Sequence, residues 1–288
     1  MARLPSIVVA LVLLLAGCSG LTGPADERRT VNPNLDTTPT STATPAPDER
    51  YPPGVSADGV DAGRLTDAHA DALEGESKTV RVQTTIVATN GTTLLSRTTT
   101  TRTDGDTLSA SVSAVGASPE FLGPFRDFGY WSDGDQTFVR QEQPNGTVQY
   151  RERPGDSMPT FGISPTGRST VEPLLYYAEF QHVGTERRGN ATYHVLTAEP
   201  GTFELSEDAR NVKLTVAVTQ EGLVESTFLR YDTVLRGVEV TYVVRFRASD
   251  VGSTTIERPG WIDEATTEGT NASERSTTPT ATTTNGTD

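Results

Sequence analysis

The sequence predicts a mainly β (α+β) fold, a largely antiparallel sheet with one or two covering helices. Apolar and polar residues alternate over most of the middle of the chain, and Asn-Gly or Asp-Gly pairs fall between the alternating segments. Only two stretches carry a helical period. Antiparallel strands joined by tight turns bury one face, so such a sheet needs a helical cover on that face alone.

The first helix is expected over residues 62–73, where Leu65, Ala68, His69, Ala72 and Leu73 recur at helical spacing. The period then drops to two. Val80, Val82, Thr84, Ile86 and Ala88 alternate with polar residues, and Asn90-Gly91 supplies the hairpin turn back into a strand from Thr92. Further turns are expected at Asp104-Gly105, Asp133-Gly134, Asn145-Gly146 and Glu221-Gly222. A second helix is expected over 169–180, carried by Val171, Leu174, Leu175 and Ala178, with Pro173 in its first turn. Strands resume at 192–198, 212–219, 223–231 and 238–248, and the last alternates most cleanly through Val240, Tyr242, Val244 and Phe246.

The domain these elements form is expected over 54–263. Before it, Thr, Pro, Asp and Ala dominate residues 18–53, and a similar Thr-rich tail covers 264–288; neither carries enough apolar surface to offset chain entropy, so both are expected to be disordered. Residues 1–17 have the layout of a signal peptide: Arg3, then an uncharged apolar run from Ile7 to Leu15, too short to span a bilayer. Leu15-Ala16-Gly17-Cys18 follows at once. Small residues there admit a signal peptidase, and the Cys18 thiol can take a diacylglyceryl group. The expected place is therefore the outer face of the cell membrane, held by lipid at Cys18.

Cys18 is the single cysteine, which excludes an internal disulfide, a thiol nucleophile or a cysteine metal site in the domain. The net charge of −14 makes nucleic acid and anionic headgroups poor partners. Lys78 and Lys213 are the only lysines, so arginine carries nearly all the positive charge, a balance suited to high salt. Asn90, Asn145, Asn190, Asn271 and Asn285 head Asn-x-Ser/Thr triplets and are candidate glycosylation sites.

Several of these segments resemble the LolA-like superfamily, which includes the bacterial lipoprotein carriers and the LppX-type lipid-binding lipoproteins. They are the opening helix, Tyr130-Trp131-Ser132-Asp133-Gly134-Asp135-Gln136-Thr137-Phe138-Val139, Arg188-Gly189-Asn190-Ala191-Thr192-Tyr193-His194-Val195-Leu196, and the strand-turn-strand around Glu221-Gly222. The chain is also similar to haloarchaeal surface lipoproteins. The resemblance implies a curved antiparallel half-barrel whose apolar inner face is covered by helices. Bacterial carriers move freely, whereas Cys18 would hold this chain in place, so the resemblance implies local binding of a lipid and not shuttling.

Phe121, Leu122, Phe125, Phe128 and Trp131 form an aromatic stretch punctuated by Gly and Pro. It reads either as a movable lip over a ligand cavity or as a plug packed into the core. With Leu174, Leu175 and Val244 these residues are the candidate ligand cavity. No catalytic residue is expected: His69, His182 and His194 have neither metal spacing nor a nucleophile motif nearby, so the chain reads as no enzyme and no cofactor is called for. Asp133-Gly134-Asp135 and Asp104-Gly105-Asp106 lack the remaining ligands of a calcium loop and read as turns. Two functions stay open: a membrane-anchored module that binds a lipid or other apolar ligand, or a structural or protein-interaction domain of the cell envelope whose core is filled by its own side chains.

Overall fold

The computed structural model describes residues 51–154, 163–204 and 208–266. The expected signal peptide, Cys18, nearly all of the 18–53 spacer, Asn271, Asn285 and the tail from 267 lie outside the described residues. Elements follow in the order β1 (Val55–Ser56), β2 (Gly59–Val60), α1 (Ala62–Asp71), β3 (Lys78–Ala88), β4 (Thr93–Asp104), β5 (Thr107–Val115), α2 (Pro119–Leu122), β6 (Asp127–Ser132) and β7 (Gln136–Glu142). Then come β8 (Val148–Pro154), α3 (Arg168–Tyr176), β9 (Phe180–Arg188), β10 (Ala191–Ala198), β11 (Arg210–Thr219), β12 (Val224–Leu235) and β13 (Val238–Ser249).

The fold is mainly β: one open, curved, antiparallel sheet of 11 strands in the order β8-β7-β6-β5-β4-β3-β13-β12-β11-β10-β9. Two meanders, β3 to β8 and β9 to β13, meet where β13 pairs with β3 from Val240↔Ala88 to Ser249↔Thr79. The alternation of Val80, Val82, Ile86 and Ala88 thus continues without a slip into Val240, Tyr242, Val244, Phe246 and Ala248, and one face of the joined sheet is apolar.

Helices α1 and α3 cover that inner face. The Asp61 carboxylate accepts from the backbone N–H of Arg64 at 3.0 Å and caps α1. At the other end the buried Lys78 ammonium donates to the carbonyls of Leu73 (2.7 Å) and Glu76 (2.9 Å). Leu65 of α1, Leu73 in the turn that follows it, and Val171, Leu174 and Leu175 of α3 pack with Val80, Leu196, Val216, Leu229, Val244 and Phe246 of the sheet in one buried cluster. Gly167 starts α3 with φ of 74°, and a Cβ there would stand 2.2 Å from the Phe246 ring, so only glycine lets the helix lie this close to the sheet. Pro173 is the sixth residue of α3, beyond the expected first turn, and the helix ends at Tyr176 where the sequence suggested 180. Phe180 instead begins β9, a strand that alternation did not reveal.

The outer face of the sheet carries a second buried cluster at β6–β8. There Trp131 and Phe138 pack against Ile262 and Ala265 of a short helix over 261–266. Gly129 makes room for it, since a Cβ would lie 3.3 Å from the Trp261 ring. At the opposite end Tyr51 packs edge-on to His182, ring centroids 5.1 Å apart. Described packing therefore reaches a few residues past 54–263 at both ends.

Candidate functional site

The inner face is not covered evenly. Under α1 and α3 the floor residues are buried, yet the cross-strand rows lose this cover as they run on from β12 towards β5. One row runs Tyr231↔Tyr242↔Ile86↔Leu95 and its neighbour runs Leu229↔Val244↔Thr84↔Arg97. Tyr242, Thr84, Arg97, Thr99 and Val112 are only half-buried. Tyr242 touches both the helix-covered cluster and a second one built on Ile86, Leu95, Ala114 and Val240, while Val112 borders a third around Leu108, Phe128 and Tyr130. Separate clusters with a half-exposed floor between them describe a trough.

An aromatic row leads out of the trough. The Tyr242 ring lies 5.2 Å from Tyr231, and Tyr231 lies 5.6 Å from Phe203. At its outer end a cleft of about 760 Å³ is lined by Phe203, Ala209 and Val212 with Pro200, Asn211 and the acidic Glu204. Burial raises the Tyr231 phenol to about 12, with Tyr242 adding to the shift. Burial also raises Tyr242, against the pull of Thr84 and of the Arg97 charge. Both phenols stay neutral at any physiological pH, so the row presents aromatic faces and hydroxyl groups and no charge.

Arg97 is the charged residue of this floor. Its Nη2 donates to the carbonyl of Leu122 at 3.0 Å, while its buried Nε has no hydrogen-bond partner among the described residues. α2, which carries Leu122, is held from the β12–β13 turn, where Arg236 pairs with Glu120 at 3.0 Å and stacks over the Phe121 ring at 5.6 Å.

The residues singled out in the sequence fall into four places. Phe121 and Leu122 lie half-buried in α2 against Ile86 and Leu95. Phe125 meets Phe128 of β6, ring centroids 6.1 Å apart, beside Leu108 and Val139. Trp131 is buried on the other side of the sheet. Leu174, Leu175 and Val244 are brought together, but the space between α3 and the sheet is filled by their own side chains. The stretch from Phe121 to Trp131 is thus the end of α2, a four-residue connection that carries Phe125, and strand β6, not one continuous lip. Arg97, Phe203, Tyr231, Tyr242 and Ala209 were missed. Parity held a signal for two of them, since Tyr242 alternates with Val240 and Val244, and Arg97 stands two residues after the inward Leu95.

His69 is fully buried. Its Nε2 lies 2.9 Å from the carbonyl of Thr166 and so carries the proton, while Nδ1 has no partner among the described residues. Burial above all pushes it down to about 4, Thr166 opposing and Arg168 adding to the shift. The structure brings the other two histidines together across β9 and β10: His194 Nδ1 lies 3.2 Å from His182 Nε2, and His194 Nε2 lies 3.2 Å from Gln220 Oε1. Among the described residues no group of three or more His, Cys, Asp or Glu is placed to hold a metal ion, and no helix is long and apolar enough to cross a membrane. Asp133 Oδ1 accepts from the N–H groups of Asp135 (3.1 Å) and Gln136 (2.9 Å), which is turn chemistry. Asn90, Asn145 and Asn190 sit exposed at hairpin turns.

No curated protein matches the chain. Among solved structures it is similar to a DUF1329 family protein from Desulfovibrio piger, at 10% identity over 71% of this chain and 98% of that one, with a TM-score of 0.27. LprF from Mycobacterium bovis shares 9% identity over 69% of this chain and 96% of that one, with a TM-score of 0.37. The Pseudomonas aeruginosa MucA/MucB complex matches at 14% identity over 70% of this chain, 62% of that chain and a TM-score of 0.33. The architecture stands on this chain's own strand order and register. A family model matches residues 3–265, and the chain belongs to that family, DUF7537, a family of unknown function.

Proposed function

We propose that this chain is an envelope lipoprotein, anchored through Cys18 on the outer face of the cell membrane, whose domain binds a lipid or other elongated apolar molecule without catalysis. One observation carries the reading: past its helical lid the inner face of the sheet continues as a half-buried trough floored by Tyr242, Val112, Thr84, Thr99 and Arg97, and Tyr242, Tyr231 and Phe203 lead from it to a cleft of about 760 Å³. That volume suits a small-molecule site, for which roughly 300 to 1,000 Å³ is usual. The position differs from the one the sequence suggested at Leu174 and Leu175, where the core is closed.

Mass spectrometry of organic extracts from the full chain, purified without detergent, tests this reading. An apolar compound near one per chain, reduced in Ala209→Trp at an unchanged unfolding midpoint, is the expected result. No extractable compound, together with no uptake of added palmitate or hexadecanol, would sink it. The anchor has its own check: Cys18→Ser should leave the protein unprocessed or move it out of the membrane fraction. An unchanged membrane fraction after a high-salt wash would contradict the assignment.

A second reading has an observation of its own. Helices α1 and α3, with the turn after α1, fill the space over β9 to β13 with Leu65, Leu73, Val171, Leu174 and Leu175, as a purely structural envelope domain would. Under it the trough takes no ligand, and the extracts stay empty.

A further inference from the structure

We infer that Arg97 anchors the head group of the bound molecule, so that the ligand class is an amphiphile with a carboxylate or phosphate at one end and an apolar tail. This inference rests on the apolar-ligand reading above and sharpens it. Arg97 lies on the inner face because β4 pairs with β3 in the register Thr84↔Arg97, in a row otherwise made of Leu229, Val244, Thr84 and Ala114. Among the described residues no carboxylate pairs with it, although eleven ion pairs form elsewhere. One of its amino groups is used by the Leu122 carbonyl, and its buried Nε–H has no acceptor among the described residues.

A guanidinium is a planar fork of donors that matches the two oxygens of a carboxylate or phosphate, and a buried donor without an acceptor calls for an explanation. The rest of the floor is neutral. Thr84 and Thr99 flank the charge with hydroxyl groups, and beyond them Val82, Val112 and the Tyr242–Tyr231–Phe203 row offer apolar and aromatic surface for a chain. One positive charge at one place on such a floor distinguishes head from tail. Partial burial also shields the pair from salt, which would screen an exposed one.

Equilibrium binding of palmitate, hexadecanol and inorganic phosphate to the full chain, stripped of lipid by organic extraction, tests the assignment. The two amphiphiles share a tail and differ in head charge. Palmitate is expected to bind about tenfold more tightly than hexadecanol, the ordinary gain from a charged hydrogen bond. Arg97→Gln should erase that difference while hexadecanol binding stays constant, and Arg97→Lys should keep most of it. Equal affinities in the wild type overturn the role of Arg97 but leave the apolar-ligand reading standing; no binding of either amphiphile overturns both. Phosphate that binds alongside hexadecanol and is lost in Arg97→Gln overturns the head-group assignment, because the anion is then a separate ligand. Should Arg97→Gln lower the unfolding midpoint, the wild-type ratio of palmitate to hexadecanol decides without it.

Discussion

Two regions of one inner face follow the same alternation and end differently. Under α1 and α3, Leu196, Val216, Leu229, Val244 and Phe246 are buried against Leu65, Leu73, Val171, Leu174 and Leu175. Further along the same and adjoining rows, Tyr242, Thr84, Arg97, Thr99 and Val112 point the same way and remain half-buried. Strand chemistry alone does not account for the contrast, because β3 and β13 contribute to both regions. What differs is the cover: two helices seated closely through Gly167 on one side, and on the other the four-residue α2 pinned by Arg236. A sheet that fills its own hollow in one half and leaves it open in the other separates stability from binding.

The largest expected effect belongs to the filled half. Leu175→Ala removes a fully buried side chain between α3 and the sheet and should cost about 2–5 kcal/mol. The midpoint of denaturant unfolding measures it. A loss below about 1 kcal/mol would mean that the helix rides over a loose core, and the two regions would no longer differ.

This contrast was only partly legible in the sequence. Period two and the Asx-Gly turns located most strands, and Leu65 and Leu73 located α1, because burial of one face imposes those periods. β9 was hidden for a physical reason: as an edge strand it pairs on one side only, and Glu186-Arg187-Arg188 sit exposed on it. Gly129 made the aromatic stretch look like a loop, although glycine is there to admit the Trp261 ring against β6. Arg97 was not singled out in the sequence, where threonines surround it. Its inward side followed from parity with Leu95, but its missing partner depended on where α2 folds back, which no local pattern encodes.

The next effect is a pH dependence, also from the filled half. His69 is neutral when folded, with its pKa held down to about 4 from an ordinary 6.5, so the unfolded chain binds more protons between those values. Its contribution is complete above about pH 6.5 and is lost as pH falls toward 4, a change of about 3 kcal/mol at most. Unfolding midpoints across that window should fall with acid and fall less in His69→Gln. A variant with the same slope as the wild type would show that other groups set it.

Smaller effects follow at the margins. Asp61→Ala removes the cap of α1 and should cost about 1 kcal/mol in the same unfolding assay. Thr99→Ala, on the uncovered floor, should shift stability by no more than about 0.5 kcal/mol. A cost for Thr99→Ala comparable with that of Leu175→Ala would erase the distinction between packed and open floor.

The most direct measurement is amide hydrogen exchange of the full chain with and without palmitate. Binding in the trough should slow exchange in β4, β12 and β13 around Arg97, Tyr231 and Tyr242, and leave α1 and α3 unchanged. Slowing concentrated in α1 and α3 would place the ligand under the helical lid, where the core is closed in this structure, and would contradict the account.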